Sequence, residues 1–180
     1  MTTYVALLRG INVGGNKVVA MAELRRMLES LGLSDVKTLL QSGNAVFRGP
    51  AKAPATLERQ LEAAMTTHFK MSCDYHVRTA AEMRAVVDAN PLKAEAAKHP
   101  SCFTVTFYRA PLDKAAVKAA QAAIDGPEIL RADGRHLYIY WPEGQGRSKA
   151  GIVVGKTLKV EGTARNWNTV LKLVALAATD

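Results

Sequence analysis

The sequence has few of the residues on which small secreted domains and membrane proteins depend. Its two cysteines, Cys73 and Cys102, are far apart and too few for a disulfide framework. No apolar run approaches the roughly 18 residues that a membrane-spanning helix needs, and the first residues lack the charged and apolar regions of a signal peptide. The sequence therefore predicts two buried, strand-borne thiols in a reducing compartment, a cytoplasmic location and no membrane partner.

Aromatic residues are also scarce, at 6% of the chain. Proteins that read single-stranded bases stack them on aromatic side chains, so this scarcity argues against such a platform. The four histidines share no metal-ligand spacing with Cys, Asp or Glu, and no GxSxG nucleophile elbow occurs. Glu58 and Glu62 form a carboxylate pair, but we expect them on an exposed, solvated helix face. The sequence thus predicts no metal and no cofactor, and it leaves the catalytic residues, if any, unidentified.

Positive charge is in excess. The chain of 180 residues has 24 Lys and Arg against 16 Asp and Glu, which gives a formal net charge of +8. Such a field favours anionic partners, namely nucleic acid or phosphorylated small molecules. No block of Lys or Arg occurs, so solubility alone explains the charge equally well.

Apolar periodicity predicts an α+β fold that begins with a ferredoxin-like βαββαβ unit, residues 1–78. Its predicted elements are strands at residues 4–8, 36–40, 45–47 and 73–77 and helices at residues 21–31 and after residue 54. A linking helix and joint should occupy residues 79–100, with a capping box formed by Thr79 and Glu82.

Residues 101–180 repeat the opening order and predict a second α+β subdomain of βαββ type. Its predicted elements are strands at residues 102–108, 128–131 and 136–141 and helices at residues 113–124, 148–154 and 163–178. We expect this half to end in helices where the first half has its last strand. In the closing helix one face would be buried, and the opposite face would be polar. The expected buried residues are Trp167, Val170, Leu171 and Val174, and the expected surface residues are Arg165, Asn168 and Lys172.

The loop between the first strand and the first helix is the leading candidate for a binding site. It is rich in glycine and in neutral or cationic side chains, and its candidate residues are Arg9, Asn12, Gly14, Gly15, Asn16 and Lys17. In a βαββαβ sheet this loop leaves from the same edge as the turn that carries Gln41, Ser42 and Asn44. Glycines let backbone N–H groups approach an anion, and the following helix N-terminus favours negative charge.

The loop matches neither of the two common nucleotide-loop motifs. The glycine spacing fits neither GxxxxGK[ST] nor GxGxxG. A loop whose glycines merely turn the chain, with asparagine as a cap, is therefore as good an interpretation as an anion site.

A second candidate anion site lies at the turn from Gly144 to Lys149. Arg147, Ser148 and Lys149 precede a predicted helix, where a serine cap and two cations suit an anion. Arg165 and Asn168 of the closing helix are further candidates. An ordinary capped helix start explains the same residues, and no tertiary argument joins this turn to the first loop.

Four segments resemble the bacterial domain-of-unknown-function 1697 family, and they are residues 4–17, 41–44, 146–149 and 164–173. The opening and closing motifs are specific, and the match runs from the first strand to the last helix. The resemblance implies a cytoplasmic bacterial α+β protein with ferredoxin-like parts and no assigned activity, and it supplies no catalytic residues. Where such proteins are expected to have a second basic residue after Lys17, this chain has Val18.

Three functions follow as hypotheses. The first is a non-enzymatic protein that binds a phosphate-bearing ligand, either nucleotide or nucleic acid, at the edge formed by Arg9–Lys17 and Gln41–Asn44. The second is an enzyme that acts on an anionic small molecule held at the same edge. The third is a protein-interaction scaffold with an exposed sheet edge or apolar patch. The sequence leaves open whether the protein is an enzyme, and it does not give the oligomeric state.

Overall fold

The computed structural model describes residues 1–15 and 17–178. Within these residues the chain is an α+β protein with two four-stranded antiparallel sheets and seven α-helices. It divides into two units. The first comprises Met1–Ala85 and the C-terminal residues from Lys172, and the second is Val86–Leu171. None of the described helices combines the length and the apolar character needed to cross a bilayer.

The first unit has the predicted element order. Its elements are β1 (Thr2–Leu8), α1 (Met21–Ser30), β2 (Ser34–Leu39), β3 (Asn44–Gly49), α2 (Pro54–Phe69) and β4 (Tyr75–Thr79). The strands lie in the order β2-β3-β1-β4, and each neighbouring pair is antiparallel. Strand β1 is therefore central, which puts its C-terminal end, and the loop that follows, beside β3 and β4.

The core of the first unit lies on one face of β1. Alternate residues of a strand point to the same face, so Tyr4, Ala6 and Leu8 join one apolar cluster with Leu24 of α1 and Leu61 of α2. All five are at most 1% exposed. Burial of a leucine side chain stabilises a fold by about 1.5–3 kcal/mol, so this cluster fixes the strand from which the candidate loop leaves.

The carboxylate pair of α2 does not lie on an exposed face, contrary to the sequence-based prediction: Glu58 is buried and Glu62 is half-buried. Glu58 is only 5% exposed, and its Oε1 accepts a hydrogen bond from the backbone N–H of Val77 at 2.8 Å. Glu62 accepts likewise from Tyr75 at 3.0 Å. Both N–H groups belong to β4, the last strand of its sheet. The helix therefore covers a sheet edge that would otherwise be open to another strand.

The second unit repeats this architecture. The helix α3 (Ala80–Asp88) begins in the first unit and ends in the second. The second unit then contains α4 (Lys93–Lys98), β5 (Phe103–Phe107), α5 (Lys114–Ala122), β6 (Ile129–Asp133), β7 (His136–Tyr140), α6 (Ala150–Leu158) and β8 (Thr163–Asn166), and α7 (Trp167–Ala177) begins in the second unit and ends in the first. The strand order is β6-β7-β5-β8. Helix α3 begins with the predicted capping box, because Glu82 N donates to Thr79 Oγ1 and Thr79 N donates to a Glu82 carboxylate oxygen.

The second unit ends its sheet with a strand where the sequence predicts the start of a helix. Thr163–Asn166 pairs with β5 as β8, and α7 begins only at Trp167. Arg165 is therefore not on a helix surface. It is 7% exposed, and its Nη1 donates to Thr163 Oγ1 and to the carbonyl of Ala164. Pairing with β5 outweighs the weak strand preference of these residues.

Two further predictions need correction. In α7 Trp167 and Val170 are buried as predicted, but Leu171 is 39% exposed, Val174 is half-buried and Leu173 is buried. The buried face continues through Leu173 and Ala177. Both cysteines are free thiols, but only Cys73 is buried; Cys102 is partly exposed in a short 3-10 turn before β5.

Candidate functional site

The loop after β1 and the turn between β2 and β3 meet at one edge of the first sheet. Asn12 Nδ2 donates to the carbonyl of Gln41 at 2.7 Å, and Leu8 N donates to the carbonyl of Gly43 at 2.8 Å. Asn12 also closes its own loop, because Nδ2 donates to Val19 O and Oδ1 accepts from Val19 N. Asn12 therefore holds the loop and the turn together, and its amide is engaged within the protein.

The turn between β2 and β3 is built for this close approach. Gly43 has a φ of +80°, and a Cβ at this position would be 2.6 Å from Ile11 Cδ1. Asn44 is fully buried, and its Nδ2 donates to the carbonyl of Leu39 at 2.7 Å and to Ser42 Oγ at 3.1 Å. Asn44 is thus a turn-forming residue, whereas Gln41 and Ser42 are exposed at the surface.

A third segment, residues 72–74, contacts both cations of the loop. Lys17 Nζ donates to the carbonyl of Ser72 at 2.8 Å, and Arg9 Nη1 lies 3.4 Å from Asp74 Oδ2. The Arg9 and Asp74 side chains are 38% and 46% exposed, so both charges reach solvent. The sequence-based prediction did not include this segment. Its position directly before β4, which pairs with β1, could have indicated that it lies beside the loop.

Cys73 lies beside these cations but is not an activated nucleophile. Its Sγ is 3.5 Å from the carbonyl oxygens of Arg9 and Asp74. Burial raises the pKa of the thiol, and the nearby Lys17 charge only partly opposes this effect. The thiol is therefore protonated at neutral pH, whereas reactive cysteines need the thiolate.

Six of the predicted residues form the exposed surface of this edge, which we call the polar edge; they are Arg9, Gly14, Gly15, Lys17, Gln41 and Ser42. Gly14 and Gly15 have φ angles of +59° and +76°, and a Cβ at either would meet no atom within 4 Å. A ligand can therefore reach the backbone there. The predicted residue Asn16 lies outside the described residues.

Apolar side chains border the polar edge. Val13 and Val18 of the loop are 66% and 67% exposed, and Leu40 of the turn is 54% exposed. Leu40 also adopts a φ of +61°, which is unusual for a leucine. The polar edge is thus an open surface where cations, accessible backbone and apolar side chains lie side by side.

The structure separates the residues of the second predicted anion site. Arg147, Ser148 and Lys149 line a cavity of about 390 Å³, and Ser148 Oγ accepts from Ala150 N at the start of α6. Arg165 is buried in β8. Asn168 is exposed on α7 and lines a different cavity. These five residues therefore do not form one site.

The described residues contain no group of three or more His, Cys, Asp or Glu side chains that could hold a metal ion.

Comparisons with known proteins place the fold without assigning an activity. A family model described as "Protein of unknown function (DUF1697)" matches residues 1–138. Among solved structures, the chain is similar to the conserved bacterial protein SP0830 from Streptococcus pneumoniae. The two are 28% identical, the match covers 98% of each chain, and the TM-score is 0.73. No curated protein matches.

Proposed function

Because this chain belongs to the DUF1697 family of proteins of unknown function, we propose its function from the polar edge: it binds a phosphate-bearing ligand there, and nucleic acid fits this surface better than a free nucleotide. The proposal includes the cytoplasmic location that the sequence predicts. One observation carries it. The exposed ammonium of Lys17 and the half-exposed guanidinium of Arg9 accompany two glycines whose backbone a ligand can approach directly.

The chemistry of these groups favours phosphate oxygens. Backbone N–H groups in glycine turns and nearby cations are the common elements of anion-binding concavities. Lys and Arg neutralise nucleic-acid phosphates and release condensed counterions, and this release supplies most of the non-specific affinity. The net charge of +8 adds a favourable long-range field.

The open shape of the polar edge favours an extended ligand. Small-molecule sites are concave and enclose most of their ligand, whereas Val13, Val18 and Leu40 stand more than half exposed beside the cations. Apolar side chains at such a surface can contact sugars and base faces while the cations contact phosphates. A nucleic-acid chain can contact the cations through its phosphates and the apolar side chains through its sugars and bases.

Salt-dependent binding tests this proposal. The anisotropy of labelled single-stranded and duplex oligonucleotides is measured with the full chain over a range of salt concentrations. Wild-type binding should weaken linearly on a log–log plot. Lys17→Ala and Arg9→Ala should each weaken binding and reduce the salt slope by about 1.

Lys52→Ala is the matched control. Lys52 lies in the same unit, is exposed, and its Nζ also makes one hydrogen bond, to Gln60 Oε1 at 3.0 Å. Lys52→Ala removes one positive charge at a position outside the polar edge, so the salt slope of binding should stay unchanged. The proposal is wrong if wild-type protein binds no oligonucleotide at low salt, or if Lys52→Ala weakens binding as much as Lys17→Ala does.

A further inference from the structure

A cavity of about 390 Å³ lies in the second unit, and none of its lining residues belongs to the polar edge. One wall is the connection after α5, residues 123–128, and the other is formed by residues between Glu143 and Val153, where α6 begins. Its volume falls within the range of small-molecule sites, about 300–1,000 Å³. Ile124, Pro127 and Val153 give it an apolar middle.

A buried carboxylate faces this cavity. Glu128 is 8% exposed, and its carboxylate lies against the backbone of Gly126, where a Cβ would overlap Oε2 and lie 3.1 Å from Cδ. The Gln121 side chain fixes this segment, because Nε2 donates to Glu128 O at 3.0 Å and Oε1 accepts from Leu130 N at 2.6 Å. The position of the carboxylate is therefore set by the fold and depends on a glycine beside it.

Within residues 1–15 and 17–178 the Glu128 carboxylate accepts no hydrogen bond from a side chain or a backbone N–H, and it makes no ion pair. Glu128 lines the cavity, so a cationic group bound there can donate a charge-assisted hydrogen bond to its carboxylate in place of water.

The wall formed by residues 143–153 contains two cations, Arg147 and Lys149, together with the acidic Glu143. Helix α6 begins there, and Ser148 Oγ, just before the helix, accepts from Ala150 N. A helix start with nearby cations favours an anionic group. Among the described residues, neither cation forms an ion pair with Glu128, Asp125 or Glu143, the three acidic residues of the lining.

We infer that this cavity binds a small zwitterion. Its ammonium or guanidinium group would donate to Glu128, its short apolar segment would lie along Ile124 and Val153, and its carboxylate or phosphate would face Arg147, Lys149 and the start of α6. The inference is independent of nucleic-acid binding at the polar edge. Arg147, Ser148 and Lys149 of the second predicted anion site would then form the anion-binding half of a site for a dipolar ligand.

Titrations followed by two-dimensional amide NMR of the full chain test the inference. The zwitterionic probes are arginine, ε-aminocaproate and phosphoethanolamine, and the matched single-charge probes are hexylamine and caproate. At least one zwitterion should shift the amide signals of Gly126, Gly144 and Gly151, which line or adjoin the cavity. The single-charge probes should bind about tenfold more weakly or worse, because each lacks one charge-assisted contact.

Two variants assign the ends of the site. Glu128→Gln keeps the shape of the side chain and should weaken zwitterion binding about tenfold or more. It should not lower Tm, since the carboxylate accepts no hydrogen bond from the described residues. Arg147→Ala, at an exposed position, should weaken the binding of the zwitterion but not the binding of hexylamine. Glu95→Gln on α4, the same chemical change outside the cavity, should bind like the wild type.

Three results would overturn the inference. The first is that no zwitterionic probe shifts these glycine amides in the wild-type protein. The second is that Glu128→Gln binds as tightly as the wild type. The third is that caproate binds as tightly as ε-aminocaproate, which would leave a simple anion site at the start of α6.

Discussion

Asn12 and Gly43 hold the polar edge in shape. Asn12 joins the loop to the turn through its amide, and it adopts a φ of +53°, which asparagine tolerates better than most residues. Gly43 permits the contact from the other side, since only a residue without a Cβ fits against Ile11. The exposed residues of the edge can therefore vary in chemistry while these two preserve its geometry.

Gly43→Ala should destabilise the protein by about 2–4 kcal/mol, since it adds a left-handed backbone penalty to an overlap with Ile11. Urea unfolding followed by circular dichroism measures the change. Gly14→Ala is the matched control, because its φ is also positive but its Cβ meets open space; its cost should be only about 1–2 kcal/mol. Equal losses of unfolding free energy in Gly43→Ala and Gly14→Ala would show that packing against Ile11 is unimportant.

The sequence predicts that the loop and the turn meet, because strand order alone brings them to one edge. It does not predict which side chains stay available there. Asn12 and Asn44 look like ligand-binding amides in the sequence, yet both bond to backbone carbonyls within the protein. Asp74 and Ser72 were missed because their contacts with Arg9 and Lys17 span more than 50 residues of chain.

At the scale of elements, α2 has a second task besides burying its apolar face. Its carboxylates at Glu58 and Glu62 are one turn apart and accept from alternate N–H groups of β4. That spacing fits an edge strand, in which every second N–H points outward. A related contact covers an edge strand in the second unit, where Gln121 Oε1 of α5 accepts from Leu130 N of β6 and Nε2 donates to Glu128 O just before that strand. These covered edges weaken the case for a scaffold that recruits a partner strand there.

Glu58→Ala should cost about 1–3 kcal/mol, because the buried N–H of Val77 loses its acceptor. Hydrogen exchange at the Val77 amide should accelerate relative to the rest of β4. Glu58→Gln retains a side-chain oxygen and should keep most of the protection, and Glu29→Ala, an exposed glutamate on α1, should change neither quantity. Unchanged exchange at Val77 in Glu58→Ala would contradict this role for the carboxylate.

The element order of the first unit could be predicted because its strands and helices have clear apolar periods. The last strand of the second unit could not, because Thr163–Asn166 has only four residues and no apolar alternation. Its stability comes from pairing with β5 and from the buried Arg165, which are tertiary properties. The burial of Glu58 escaped prediction for the same reason, since its partner is a strand rather than a helix neighbour.

At the scale of the whole molecule, the two units have a buried arginine and a helix-capping residue at corresponding positions. Arg78 lies opposite Val5 in the first sheet, and Arg165 lies opposite Val105 in the second. Each arginine is buried, and each donates through Nη1 to the carbonyl of the residue before it. The next residue, Thr79 or Asn166, then caps a helix. The sequence predicts the repeat only from the order of its elements, and the structure shows this correspondence of single residues.

Both units also bury tyrosines, and this makes the protein sensitive to alkali. Burial raises the pKa of Tyr75 in the first unit and of Tyr138 in the second well above the usual value, and it raises the pKa of Tyr108 to about 12. As pH rises past about 10, the unfolded chain releases these phenolic protons while the folded chain keeps them. The folded state then binds more protons, so its stability falls with rising pH.

The free energy of unfolding should therefore decline from about pH 10 upward, and each buried tyrosine should steepen the decline by up to about 1.4 kcal/mol per pH unit. Urea unfolding at a series of alkaline pH values measures the slope, and phenolate absorbance of the folded protein reports the titration directly. Tyr108→Phe removes one titrating group, so its stability relative to the wild type should improve as the pH rises through the window from about 10 to about 12. Complete phenolate formation in the folded wild-type protein near pH 10 would contradict the argument, because it would mean that the phenols are not desolvated by either core.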